Sequence, residues 1–386
     1  MTSRGALDGL TVIETAERVS GEYTGKLLAD LGAEVIKVER PGGAPTRAMG
    51  PFAAGESTLF AYLGTNKKSV VLNLADAYDR AVLDRLLTRA HALIDDHDAG
   101  WCRAMGLTPE MIAAAYPKLV HTLITPFGQG APAEWQSARP VNVIAAGGWA
   151  YHSPSETPAD KPPLKGAGRF LSDYEAGIDA ALATMASLLR LRHTEQGQFV
   201  DLSEVEVQLN RIDCVLGRML AGEVEPSDAR TAYDMGGPGT SFACRDGHVF
   251  LLMTTKAHWK GLCALMGDPA WADDLREDWL EFDCTPPNVA LFRERFSGWI
   301  AQQDKHPITE AAQKAGVAMV PVHTAEDLPR HEQFAHRGFF QQAVHPIFGE
   351  VSYPTAAYRM SATPVSIKAP APRLDADQVE VFDATS

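Results

Sequence analysis

The sequence predicts an α/β protein with a large parallel-sheet domain and a smaller second domain. Three observations carry that expectation. Short apolar, β-rich runs alternate with helical patterns through the first half of the chain, as a parallel sheet with helical crossovers requires. A stretch rich in Gly, Pro, Asp and Ser, residues 223–239, then interrupts the alternation and reads as a linker or loop. A second compact run of strand and helix signals follows it. With 386 residues, 45% of them hydrophobic and 22% charged, the chain has apolar material for two cores.

In order along the chain, residues 10–13 read as a strand, 24–31 as a helix stopped by Gly32, and 34–38 as the next strand. Strands at 69–74, 92–94 and 119–124 alternate with helices at 79–90 and 109–115. The clearest helix covers 174–192, where Ile178, Ala181, Leu182, Met185, Leu188 and Leu189 recur at helical spacing. Gly197 ends it, and 199–202 resumes a strand. The second unit gives strands near 249–253 and 317–322 and helices near 256–266 and 288–303; the tail after Glu326 reads as irregular and proline-rich. The expected division is a Rossmann-like large domain at 1–222 with 326–386, and a linker plus smaller α/β domain at 223–325.

The net charge of −14 argues against nucleic acid or an anionic membrane surface as partner, since both need a basic face. An anionic ligand must therefore be held by a few local Arg and Lys residues. Cys102, Cys214, Cys244, Cys263 and Cys284 contain no CxxC pair and read as free thiols in a reducing cytoplasm. The first nine residues are polar, and no apolar run approaches the roughly 20 residues that span a bilayer, so a cytoplasmic location is expected.

Several familiar chemistries are absent. His331 and His336 in HEQFAH are five apart, whereas a zinc-binding helix needs four, so no metal site is expected. There is no GxSxG elbow or Walker A loop, and Gly236-Gly237-Pro238-Gly239 is not a dinucleotide fingerprint. Asp173 stands at the start of the long helix. The residues alone leave two roles open for it, a helix cap or an anion kept for chemistry. Arg40 follows a strand end, the usual place for a ligand contact in such a sheet.

Three ordered blocks then carry a resemblance. The first is Leu7-Asp8-Gly9-Leu10, Leu31 to Arg40 (LGAEVIKVER) and Asn66 to Leu74 (NKKSVVLNL). The second is Thr125-Pro126-Phe127-Gly128-Gln129 with Asn142 and Gly147-Gly148. The third is Ser172-Asp173-Tyr174-Glu175-Ala176-Gly177, Leu188-Leu189-Arg190 and Gly197 to Ser203 (GQFVDLS). Looser matches follow at Trp259, Met266-Gly267, Trp271, Val320-Pro321-Val322 and Glu326-Asp327-Leu328. Together these resemble the class III CoA transferases, a family that includes formyl-CoA:oxalate and carnitine CoA transferases and the α-methylacyl-CoA racemases.

The resemblance implies transfer of CoA from an acyl-CoA donor to a carboxylic acid, with Asp173 as covalent nucleophile. It implies no permanently bound cofactor, the CoA thioester being a substrate, and an interlocked homodimer. CoA contacts are implied at Val19 and Ser20, at Arg40, at Leu72, Asn73 and Leu74, and at Asp96 and His97, with Arg103 a further candidate. Arg139 is a candidate for a carboxylate or phosphate. Gly236, Gly237 and Gly239 would form a glycine cover over the site.

The chain also departs from the family. Where the family has Glu-Asn-aromatic, this sequence reads Asp95-Asp96-His97. Val19 replaces the glutamine of the formyl-CoA enzymes, and with Trp149, Tyr151 and His152 suggests an acyl group larger or less polar than oxalate. Arg139 and Pro140 fall where the racemase branch needs a basic histidine. Racemisation, and a non-catalytic subunit of a heteromeric transferase, are the alternatives to CoA transfer.

Overall fold

The computed structural model describes residues 5–148, 169–210 and 237–385. The described chain forms two compact units: one contains 5–148, 169–210 and 337–385, the other 237–336. Residues 326–336, grouped above with the large domain, thus lie in the second unit. Their anchor there is Asp327, which accepts from Lys305 Nζ at 2.7 Å and from the Thr324 amide at 2.8 Å. Most of the 223–239 linker lies outside the described residues.

The first unit is built on six parallel strands: β1 (Thr11–Glu14), β2 (Glu34–Glu39), β3 (Lys67–Val71), β4 (Ala92–Asp95), β5 (Val120–Thr125) and β6 (Gln198–Ser203). Their spatial order is β3-β2-β1-β4-β5-β6, with every pairing parallel. The chain starts in the middle, winds outward to β3, then returns to β4. The crevice where β1 and β4 diverge at their carboxyl ends is the usual ligand position in such a sheet. β4 and β5 are buried throughout, which explains why they read as continuous apolar runs.

One face of the sheet is covered by α1 (Val19–Asp30) and the 24-residue α7 (Leu171–Thr194). Val12, Val35, Ile94, Val120 and Ile124 pack there against Leu28, Ala176, Ala180 and Leu188. Small residues let the two helices approach closely. A Cβ on Gly177 would lie 2.9 Å from the Ser20 carbonyl, and Thr24 Oγ1 donates to Gly177 O at 3.3 Å. Between α1 and α7 in the chain lie α2 (Thr58–Leu63), α3 (Ala77–Arg89), α4 (Ala99–Ala104), α5 (Pro109–Ala115) and α6 (Pro140–Ala146). α3 and α5 cover the opposite face through Val82, Leu83, Leu86, Leu87 and Ile112. Asp76 starts α3 by accepting from the amides of Tyr78 and Asp79.

The tail of this unit is more regular than expected. After the second unit come a hairpin, Phe340–His345 with Gly349–Pro354, and a final helix, Gln378–Thr385. The tail shields the exposed edge of β3: Asp377 accepts from the Ser69 amide at 2.8 Å, and Gln378 bonds both the N–H (3.0 Å) and the C=O (3.1 Å) of Val71.

A buried charge lattice lies under α1. Lys37 Nζ of β2 sits 3.0 Å from Glu14 Oε1 of β1 and 2.8 Å from Glu22 Oε1 of α1, and donates to Ala16 O. Lys67 Nζ of β3 sits 2.6 Å from Glu14 Oε2 and donates to Glu22 O at 2.6 Å. All four residues are buried. Burial opposes the Lys37 charge, but Glu22, Glu14 and Glu39 outweigh it and hold the ammonium above the ordinary lysine range. Gly25 leaves the space: a Cβ there would lie 1.7 Å from Glu14 Oε2.

The second unit has a three-stranded antiparallel sheet of Thr240–Cys244, Gly247–Leu252 and Ala318–Val322, with the middle segment central. Its core is aromatic. Trp259 and Trp279 meet edge to face at 5.8 Å, and Phe292 stacks on Phe296 at 5.3 Å. Among the described residues no helix is long and apolar enough to cross a membrane.

Replacing Lys37 by Met should leave Glu14 and Glu22 short of a countercharge in a dry interior. The expected loss is about 3–5 kcal/mol of unfolding free energy, read by urea denaturation.

Candidate active site

The residues at the carboxyl edge of the sheet form two adjoining groups. The first surrounds Asp173. α7 begins at Leu171 with Phe170 at its cap position, so Asp173 is the third helical residue and does not cap the helix. Its carboxyl group is buried and 3.3 Å from Ser172 Oγ. Two charged residues face it that the sequence reading did not single out. Glu204 opens α8 (Glu204–Asn210) directly after β6 and is fully buried. Arg18 lies in the loop from β1 to α1.

Glu204 accepts from Ser20 Oγ at 2.8 Å and from Arg18 Nη2 at 3.4 Å; the same Nη2 donates to Ala138 O at 3.1 Å. Arg18 Nε is buried without a partner. Burial first, then the neighbouring Glu204 carboxylate, push Asp173 up to about 7, with Arg18 and Ser172 pulling the other way. The group thus titrates near neutrality, which is unusual for an aspartate and typical of functional carboxyls.

The second group lies where β1 and β4 part. Asp96 accepts from the amides of Glu17 (2.8 Å) and Arg18 (2.7 Å), fastening the loop that carries Arg18 to the end of β4. Burial drives Asp96 up to about 7 despite those bonds. Asp95, on the other side of the strand, bonds His97 Nδ1 at 2.6 Å, and the His97 ring stacks on Trp101 at 3.5 Å and 10°. Burial opposes both charges of this pair, yet the mutual attraction wins. Asp95 falls to about 2 and His97 rises to about 9. Asp95, Asp96 and His97 could geometrically surround a cation, but a His97–Asp95 bond and two loop amides already engage them.

Next to His97 is a cavity of about 270 Å³ above the ends of β1 to β4. Arg40, Leu72, Asn73, Leu74 and His97 all line it, with Glu17 and Trp101. These five expected ligand contacts are therefore brought together. Arg40 is half exposed and paired to Glu17 Oε1 at 3.3 Å. The remaining candidates fall elsewhere. Val19 is buried in an apolar cluster with Leu59 and Leu63 against Tyr23, Phe170 and Tyr174. Ser20 serves Glu204, and Asp96 serves the loop amides rather than facing the cavity. Arg103 is exposed on α4, and Arg139 is exposed at the start of α6. Neither lines the cavity. Gly237 and Gly239 belong to the second unit, where Gly237 O accepts from Arg293 Nη2 at 3.0 Å. Gly236, Trp149, Tyr151 and His152 lie outside the described residues.

Arg18 and Glu204 were open to one sequence signal. Each is a charged residue a few positions after the end of a sheet strand, where ligand-handling residues gather.

A parallel sheet with buried acids above its switch point is the layout of an α/β enzyme. The chain belongs to the family described as CoA-transferase family III, whose pattern matches residues 7–378. It is 28% identical to the succinyl-CoA:glutarate CoA-transferase of Mus musculus over 95% of this chain and 84% of that one. It is 28% identical to the succinate–glutarate CoA-transferase of Agrobacterium fabrum over 97% and 94%. The succinyl-CoA:mesaconate CoA-transferase of Haloarcula hispanica is 25% identical over 98% and 96%. Among solved structures, a CaiB/BaiF family protein from Brucella suis superposes with a TM-score of 0.87 at 23% identity, over 99% of this chain and 100% of that one.

The His97–Asp95 pair makes a pH-dependent contribution to stability. Because the folded His97 pKa lies above the ordinary value, the contribution is complete below about pH 6.5 and is lost as pH rises through about 9. Wild type and His97→Gln should therefore differ by at most about 3 kcal/mol in urea unfolding at pH 6, and the gap should close above pH 9.

Proposed function

We propose that this chain moves CoA from an acyl-CoA to a carboxylic acid through a covalent intermediate on Asp173. The observation that carries this reading is the buried Asp173 carboxyl, in the first turn of α7 and titrating near neutrality. An anion there is favoured by the free N–H groups of the helix start, and burial leaves it weakly solvated and nucleophilic.

In the forward cycle an Asp173 oxygen attacks the thioester carbonyl carbon. The C–S bond breaks with its electron pair on sulfur, giving a mixed anhydride and CoA thiolate. The thiolate attacks Asp173 Cγ and releases the donor acid as its carboxylate, leaving an aspartyl-CoA thioester. The acceptor carboxylate attacks that thioester, and the thiolate returns to the acceptor acyl carbon, freeing Asp173. No step consumes or releases a proton overall. Each tetrahedral oxyanion forms near the α7 amides, which suit its charge.

The cavity beside His97 suits the phosphate-bearing end of CoA. Arg40 and His97 supply cations at its wall, and Trp101 an apolar surface. The relatives named above carry names that pair succinyl-CoA with glutarate or mesaconate, or succinate with glutarate. Val19, buried among apolar residues where the formyl-CoA enzymes carry a glutamine, supports an acyl group larger or less polar than oxalate. The reading includes a homodimer. Its support is the exposed apolar stripe Ile178, Leu182 and Leu189 on α7, beside a cavity of about 960 Å³ whose lining includes Leu7 and Leu10.

Incubation with succinyl-CoA followed by intact mass measurement should reveal a hydroxylamine-labile adduct on the peptide containing Asp173. Asp173→Asn should abolish it and lower transfer at least about a thousandfold. A folded wild type that forms no adduct, or an Asp173→Asn variant that keeps transferring, would refute the covalent reading. Light scattering should give twice the chain mass; a monomer would remove the dimer from it.

A further inference from the structure

The site holds one buried anion more than the transfer cycle uses. We propose that Glu204 acts through Asp173, as a fixed negative charge that favours the acylated nucleophile over the free carboxylate, and that Arg18 is the cation opposing it. The proposal rests on the reading of Asp173 as nucleophile.

The geometry fixes Glu204 in place. It is the first residue of α8, fully buried, with one oxygen on Ser20 Oγ and the other on Arg18 Nη2. Arg18 is divided. Its Nη2 also serves the Ala138 carbonyl, its Nε has no partner, and its backbone amide is tied to Asp96. The guanidinium is therefore positioned against Glu204 rather than committed to Asp173.

The groups facing Asp173 can be named by element. Ser20, whose carbonyl lies against Gly177 one turn after Asp173, brings Glu204 of α8 to that end of α7, and Glu204 in turn bonds Arg18 of the loop before α1. α7 itself supplies the Ser172 and Tyr174 hydroxyls, and Tyr23 of α1 meets the Tyr174 ring at 4.8 Å. Glu175 turns away to Gln208 Nε2 at 2.6 Å. Asp96 faces the Glu17 and Arg18 amides.

With Asp173 ionised, the enclosure holds two anions and one cation. Acylation removes one anion and leaves the neutral Arg18–Glu204 pair. In the first step the Asp173–acyl bond forms, the C–S bond breaks, and the negative charge leaves on the CoA thiolate; no proton moves. Charge thus transfers away from Glu204, and its repulsion with Asp173 is relieved. The same repulsion makes Asp173 a more basic nucleophile and a poorer leaving group, so the covalent states gain relative to the resting enzyme.

The test is the rate and extent of adduct formation with succinyl-CoA, without acceptor, from pH 5 to 9. Attack needs the Asp173 anion, so the wild-type rate should rise with pH through about 7. Glu204→Gln removes the opposing anion and should lower the midpoint by about one pH unit, while cutting the equilibrium ratio of adduct to free enzyme about tenfold. Arg18→Met removes the cation and should raise the midpoint. Opposite shifts support the proposal, and the Arg18→Met arm alone decides it if Glu204→Gln does not fold. Midpoints that stay together, or move in the same direction, overturn it while leaving the nucleophile in place. Absence of any wild-type adduct overturns the nucleophile reading and the proposal with it.

Discussion

The salt lattice of Glu14, Lys37, Lys67 and Glu22 is the constraint on which the rest of the first unit depends. Each member comes from a different element: β1, β2, β3 and α1. Buried ion pairs often add little net stability over well-packed apolar groups, because desolvation offsets the attraction. What they impose is position. An apolar α1 could slide along the sheet and still bury its surface. Here Glu22 must reach Lys37, its carbonyl must reach Lys67, and Gly25 must sit over Glu14 with no side chain at all. The helix has one height and one rotation.

That height places the functional groups. Arg18 and Ser20 stand at the beginning of α1, and both bond Glu204, the first residue after the edge strand β6. Asp96 holds the preceding loop from β4, so the loop is fixed at both ends. α7 is brought to the same point by its own small residues, Ala176, Gly177 and Ala180, which let it lie close along α1. The cavity beside His97 and the buried acid pair therefore flank one loop. In a chain of net charge −14, the cations Arg18, Arg40 and His97 stand together at this end of the sheet, each balanced by its own carboxylate.

The strands were legible because a parallel sheet covered on both faces leaves short runs rich in apolar and β-branched residues, as in ALID of β4 and VHTLIT of β5. The long α7 announced itself by periodicity. The start of α1 did not: Ser20, Glu22 and Lys26 are buried there, so polarity no longer marks the outer face. The C-terminal cover of β3 was equally hidden, since Gln378 replaces a strand partner with a side-chain amide. Of the cavity lining, Arg40, Leu72 to Leu74 and His97 were legible because strand ends place them together. Arg18 and Glu204 also follow strand ends, but their pairing across residues distant in sequence was not legible.

Asp95 and Asp96 show why acidity itself could not be read from the chain. They are adjacent in sequence and point to opposite sides of the strand end, and both are fully enclosed. Asp95 bonds the histidine directly and falls to about 2; Asp96 bonds two backbone amides, and the pull of the same histidine does not offset its burial, so it rises to about 7. Burial raises both, so the neighbouring charge decides the outcome. Asp173 follows the Asp96 pattern with a further push, since its nearest charged neighbour is another carboxylate and its cation is shared. A protein with 49 acidic residues thus singles out a few by enclosure and neighbours. For Asp173 that selection gives a carboxyl group that changes charge near neutral pH, where a solvated aspartate stays ionised.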